Sequence, residues 1–85
     1  MAARVTDALA FVFQSIHDTM NGIDTLNIAY DVNYQVNWLI NHDYKEIIKD
    51  HLKYLYQTDI RFKHSFGYIN RYFFADYRLN LNDFI

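Results

Sequence analysis

The chain of 85 residues has no cysteine, no proline and only two glycines, Gly22 and Gly67. Without cysteine it has no disulfide, no thiolate metal ligand and no thiol nucleophile. Two isolated glycines leave no Gly-rich phosphate loop, and no stretch reads as a flexible linker or low-complexity tail. No apolar run approaches the ~20 residues of a membrane span. Arg4 followed by apolar residues has the outline of a signal peptide, but Asp7 and Gln14 interrupt it and no small-residue cleavage site follows. These absences predict one domain over residues 1–85, working in a cytoplasm (a host's, if the chain is viral).

What is present is apolar and aromatic. Hydrophobic residues make up 52%, aromatics 19% and charged residues 21%, a globular rather than a disordered composition. A domain this small buries a modest share of its surface, so dense ring packing, a partner or a second copy must supplement the core. The net charge of −2 is unevenly spread. Residues 1–43 carry one cation against five carboxylates, a net of −4, and residues 44–85 carry seven against five, a net of +2. Such asymmetry can orient a partner.

Val5, Ala8, Leu9, Val12, Phe13, Ile16 and Met20 recur at helical spacing, opposite Asp7, Gln14 and Asp18, and predict a helix over 2–20. Phe11 falls outside that stripe. Asn21-Gly22 supplies the stop, since both residues tolerate the left-handed conformation. Asp43 with Glu46 three residues on has the form of a capping box, opening a second helix over about 44–57. Its apolar face is Tyr44, Ile47, Ile48, His51, Leu52 and Leu55, with Lys45, Lys49, Lys53 and Gln57 across from it.

Between these helices every even position from Leu26 to Ile40 is apolar or aromatic: Leu26, Ile28, Tyr30, Val32, Tyr34, Val36, Trp38 and Ile40. Amides and Asp31 fill most odd positions; Ala29 and Leu39 intrude. Alternation of this kind predicts a strand, or a hairpin turning at 31–33, with rings inward and amides toward water. A helix over the same stretch is the rival. Ile60, Phe62, Phe66 and Tyr68, then Tyr77, Leu79 and Leu81, extend the alternation. The fold class expected is therefore α+β, a small antiparallel sheet with two amphipathic helices on one face, the alternative being an all-α helical bundle.

No chemical motif stands out. His17, His42, His51 and His64 lack the spacing of a metal clamp, and His51 on an apolar helix face reads as a core histidine hydrogen-bonded through one ring nitrogen. Ser15 and Ser65 lie in no nucleophile elbow, while Glu46 and Asp50 sit beside lysines on a solvated face. No catalytic residue, cofactor or metal is expected.

His64-Ser65-Phe66-Gly67-Tyr68-Ile69 is similar to the ribonucleoprotein-1 strand of RNA-recognition motifs, with Ser65 in place of a glycine and Arg71 in place of the final aromatic. The likeness covers eight residues. It implies that Phe66 and Tyr68 stack unpaired bases while Lys63, Arg61, Arg71, Lys45, Lys49 and Lys53 meet phosphates.

Tyrosines outnumber what a two-layer core of this size hides with its hydroxyls satisfied. The leading expectation is a non-enzymatic protein-interaction module, a homodimer or a subunit that docks on a larger protein, of the sort found among phage and mobile-element inhibitors, accessory and assembly proteins. Tyr30, Tyr34, Trp38 and Phe11 are its expected contact residues. Single-stranded nucleic acid binding is the alternative; no membrane or metal partner is expected.

Overall fold

The described residues form four α-helices and two short 3₁₀ turns. The computed structural model describes residues 2–85, with side chains from Arg4 onward. The helices are α1 (Ala2–Met20), α2 (Ala29–Asn41), α3 (Lys45–Thr58) and α4 (Ile60–Phe73). The 3₁₀ turns, Leu26–Ile28 and Leu81–Asp83, precede α2 and close the chain. Among the described residues there is no strand, so the α+β sheet is overturned in favour of the helical alternative.

Helix α1 forms where its periodicity puts it, burying Ala8, Val12, Ile16 and Met20 at intervals of one turn. It stops at Asn21-Gly22. Gly22 adopts φ +80°, Ile23 N–H bonds the Asp18 carbonyl and Gly22 N–H bonds the Thr19 carbonyl, each at 3.0 Å. This is a Schellman closure, and it satisfies carbonyls that the helix end leaves free.

The stretch of even-numbered rings is helical, and the residues that break its alternation show why. Ala29, Val32, Val36 and Leu39 are the buried side chains of α2, spaced three, four and three apart. A helix faces the core with this set while Tyr30, Tyr34 and Trp38 fall on its other side. Length favours the helix as well. Sixteen residues of strand need about 50 Å, whereas the molecule measures 35 × 27 × 21 Å and the thirteen residues of α2 span only about 20 Å. Nor does 31–33 supply the residues that a tight hairpin turn demands.

The amides expected to meet water instead hold the chain's last segment. Asn33 Nδ2 donates to the Phe73 carbonyl at 3.1 Å, Asn37 Nδ2 to Asp76 at 2.6 Å, and Tyr77 Oη donates to Asn41 at 3.0 Å. Asn33, Asn37 and Asn41 stand one turn apart on α2, so they form a ladder along it.

Helix α3 matches expectation in extent and buries Ile48, Leu52 and Leu55 of the expected face, but Ile47 of that face is 48% exposed and the start differs. Tyr44 is the N-cap and no side chain caps it; Asp43 turns left-handed at φ 68°, so the capping box does not form. The strands expected after Thr58 are also corrected. Residues 60–73 form α4, capped by Asp59, whose side chain accepts from Arg61 N–H at 3.0 Å. Phe62, Ile69 and Phe73 are its buried face. The expected last strand over 77–82 is an irregular strap ending in the second 3₁₀ turn.

Helix α4 packs on all three other helices, and the core forms around it. Phe62, Phe73 and Phe74 are its largest fully buried side chains. Each contributes roughly 1.5–3 kcal/mol by leaving water.

Candidate protein-docking face

Because α2 buries the Ala29–Val32–Val36–Leu39 edge, its back carries rings at i, i+4 and i+8. Tyr30 is 82% exposed and Tyr34 57%, while Trp38 is half-buried. Leu26, 54% exposed, continues the row one turn earlier, and Ile23 is exposed just before it.

Two side chains from different elements rest on Trp38. The Arg4 guanidinium of α1 lies 4.3 Å from the centre of its rings, a cation–π contact. The His42 ring stacks on it at 4.1 Å, with His42 Nδ1 2.8 Å from the Trp38 carbonyl. Trp38 is therefore fixed in place, while Tyr30 and Tyr34 stand free. Arg4 also joins Asp7, Ala8, Phe11 and Gln35 around a shallow groove between α1 and α2. Gln35 Oε1 is buried there without a hydrogen-bond partner.

Of the four contact residues expected from sequence, Tyr30, Tyr34 and Trp38 follow one another along the back of α2, and Phe11 lines the groove beside Arg4, which reaches Trp38. Ile23, Leu26, Arg4 and Gln35 were not among them. Leu26 was assigned inward with the even-numbered row; a helical wheel through Leu26, Tyr30 and Tyr34 would have placed it outward. Asp7, which lines the groove beside Phe11, and Asp24 and Asp31, close in sequence to Leu26 and Tyr30, are exposed in the acidic half of the chain.

The residues of the nucleic-acid alternative are arranged otherwise. His64–Arg71 lies within α4 and is not the strand its likeness implies. Phe66 is half-buried, edge-on to Phe62 and Phe84 with centroids 5.9 Å away. Tyr68 packs on Tyr72 at 4.8 Å and Phe73 at 5.9 Å, and its hydroxyl lies 3.2 Å from Thr25 Oγ1. Thr25 is buried and also bonds Thr19 Oγ1 at 2.8 Å, so Tyr68 belongs to a polar corner joining α1 and α4.

Several cations of that set have partners within the chain. Arg61 forms an ion pair with Asp59 at 2.6 Å and donates to Asn21; its side-chain and backbone hydrogen bonds hold the Asp59 carboxyl down at about 2. Lys63 lies 4.7 Å over Tyr56 and Arg71 5.5 Å over Tyr72. Lys49 approaches Asp83 at 3.8 Å, Lys45 is exposed and Lys53 half-buried.

Among the described residues, no three or more His, Asp or Glu side chains are grouped to hold a metal ion. The His51 ring is tilted against Phe13, with centroids 4.2 Å apart, and lies 5.6 Å from the ring of His17. Its Nε2 is buried with no partner. Among the described residues no helix is long and apolar enough to cross a membrane. Comparison with protein-family models, curated proteins and solved structures returns no match.

Proposed function

We propose that the chain is a non-enzymatic protein-binding module that docks the back of α2 on a larger protein. The observation that carries this is the exposed row Leu26–Tyr30–Tyr34 on the back of α2 and the turn before it, ending at Trp38, which is half-buried and packs on the core. Rings of this kind anchor interfaces because they bury much area at little conformational cost. An amphipathic helix face presented at i, i+4 and i+8 suits a groove on a partner.

The surroundings of the row favour a partner rimmed by basic residues. Asp7 lines the groove beside Phe11, Asp24 and Asp31 lie close in sequence to Leu26 and Tyr30, and Arg4 is already engaged with Trp38. Two-fold pairing of this face would set one acidic rim against its own copy, which weakens the homodimer reading. An inhibitor, accessory or assembly role in a cytoplasm fits such a module, the absence of cysteine suiting a reducing compartment.

The test compares wild type with Tyr30→Ser/Tyr34→Ser, both tagged and purified from the cells the chain comes from. Wild type alone should be monomeric by light scattering and should bring down one protein in stoichiometric amount. The double variant should melt at the same temperature and lose that protein, a hot-spot ring being worth about 2 kcal/mol, or about thirtyfold in Kd. Equal recovery by both forms, or a dimer that the variant abolishes, would overturn the proposal.

A further inference from the structure

The C-terminal strap and the first two turns of α3 enclose a cavity of about 170 Å³ on the basic half of the molecule. Its floor is apolar, formed by Ile40 of α2, Ile48 of α3, and Phe74, Leu79 and Phe84 of the strap. These walls are set by contacts inside the chain. Phe84 is buried against the rings of Tyr56 and Phe66, at 6.0 and 5.9 Å. Asn70 of α4 clasps the Leu79 backbone, accepting its N–H at 2.7 Å and donating to its carbonyl at 3.2 Å.

The rim has the opposite character. Lys45 and Lys49, one turn apart on α3, face Arg78 of the strap, with Asp83 the one acid lining the cavity. Asp83 meets only Lys49, at 3.8 Å with its side chain half exposed, a pair too solvated to resist a competing anion. Among the described residues neither Lys45 nor Arg78 has an acidic partner.

We propose that this cavity binds a small amphipathic anion: one ring-sized apolar body carrying a carboxylate or a phosphate. An apolar cavity of about 150 Å³ takes up a benzene ring. The space here is of that size, and its floor offers the same kind of surface. A ring seated on Phe74, Phe84 and Ile48 leaves its charged head at the mouth, within the field of three cations. Arg78 can bind either head bidentately, and the two lysines add point charges. A bare inorganic anion leaves the floor unfilled, and a neutral ring leaves the cations unpaired.

Titration of the isotope-labelled full chain followed by amide NMR tests this, with hydrocinnamate and phenyl phosphate as probes. Inorganic phosphate is the head-only control and benzyl alcohol the body-only control. One or both acids should give saturable shifts at Lys45, Lys49, Arg78 and Leu79. The tighter acid should bind about tenfold better than either control, the size of one charge-assisted hydrogen bond. The ratio of the two acids identifies the head group. Lys45→Gln and Arg78→Gln, both on exposed side chains, should each weaken binding about tenfold with unchanged circular dichroism, while Lys53→Gln should leave it intact. No saturable shift with either acid, or inorganic phosphate binding as tightly, overturns the proposal. An acidic peptide that moves the same amides at lower concentration than both acids also overturns it, making the cavity a protein contact.

Discussion

His51 couples the charge of the chain to its packing. Burial against α1 disfavours its imidazolium, the nearby His17 charge adds to that, and its pKa falls below the ordinary 6.5. In the unfolded chain the group returns to about 6.5. Below that pH the unfolded state takes up the proton more readily, so the contribution is complete above about 6.5 and is lost as pH falls through the folded value. The melting temperature should therefore drop between about pH 7.5 and 5, a window in which carboxylates remain ionised. His51→Leu should flatten this slope, and His64→Gln, on an exposed side chain, should leave it as steep as wild type. Thermal melts across that window decide it; equal slopes in wild type and His51→Leu would exclude His51 as the source. In sequence, the apolar position of His51 was visible. Its neighbours were not, because Phe13 and His17 come from a helix more than thirty positions away.

At the scale of elements, the two helices with polar residues opposite an apolar stripe were legible, and the two with mixed faces were not. Positions 30, 34 and 38 satisfy both a period of two and a turn of helix, as do 32, 36 and 40. A stretch apolar at every even position therefore cannot separate strand from helix by that row alone. The deciding residues were Ala29 and Leu39, which look like intruders in the alternation and are 7% and 0% exposed in the fold. In α4 the same holds for Ile69 and Phe73, which break parity with Phe62 and Phe66 and complete a four–three–four spacing. Phe11, Tyr30 and Tyr34 are exposed whichever backbone state their stretch takes, an excess of aromatic surface that follows from composition. The strap was not legible, since its register depends on side-chain amides from α2 and α4. Asn70 is the strongest of these, satisfying both backbone groups of Leu79. Asn70→Leu keeps the size of the side chain and strips both bonds, leaving part-buried backbone groups unpaired at about 1–3 kcal/mol. Hydrogen exchange should quicken at Leu79 and through Phe84 while the amides of α1 keep their protection. Unchanged exchange at Leu79 would mean that the strap is held by its rings alone.

At the scale of the whole molecule, the exposed rings of α2 and the strap cavity share one core. The acidic half places unused rings on the back of α2, the basic half frames the strap cavity, and α4 packs between the helices of both. A core shared in this way predicts that the two sides unfold together. An 85-residue domain has roughly 4–13 kcal/mol of stability to lose. Phe62 is fully buried, edge-on to Tyr56 and Phe66, and Phe62→Ala should remove about 3–5 kcal/mol of it. Trp38 is the single tryptophan and lies on α2, away from that site, so its fluorescence reports the acidic side alone. In urea, Trp38 fluorescence and far-ultraviolet circular dichroism should follow one transition in wild type, and Phe62→Ala should move both midpoints down by the same amount. If the Trp38 transition stays in place while the dichroism shifts, α1 and α2 fold independently of α4, and the cavity and the docking face belong to separable units.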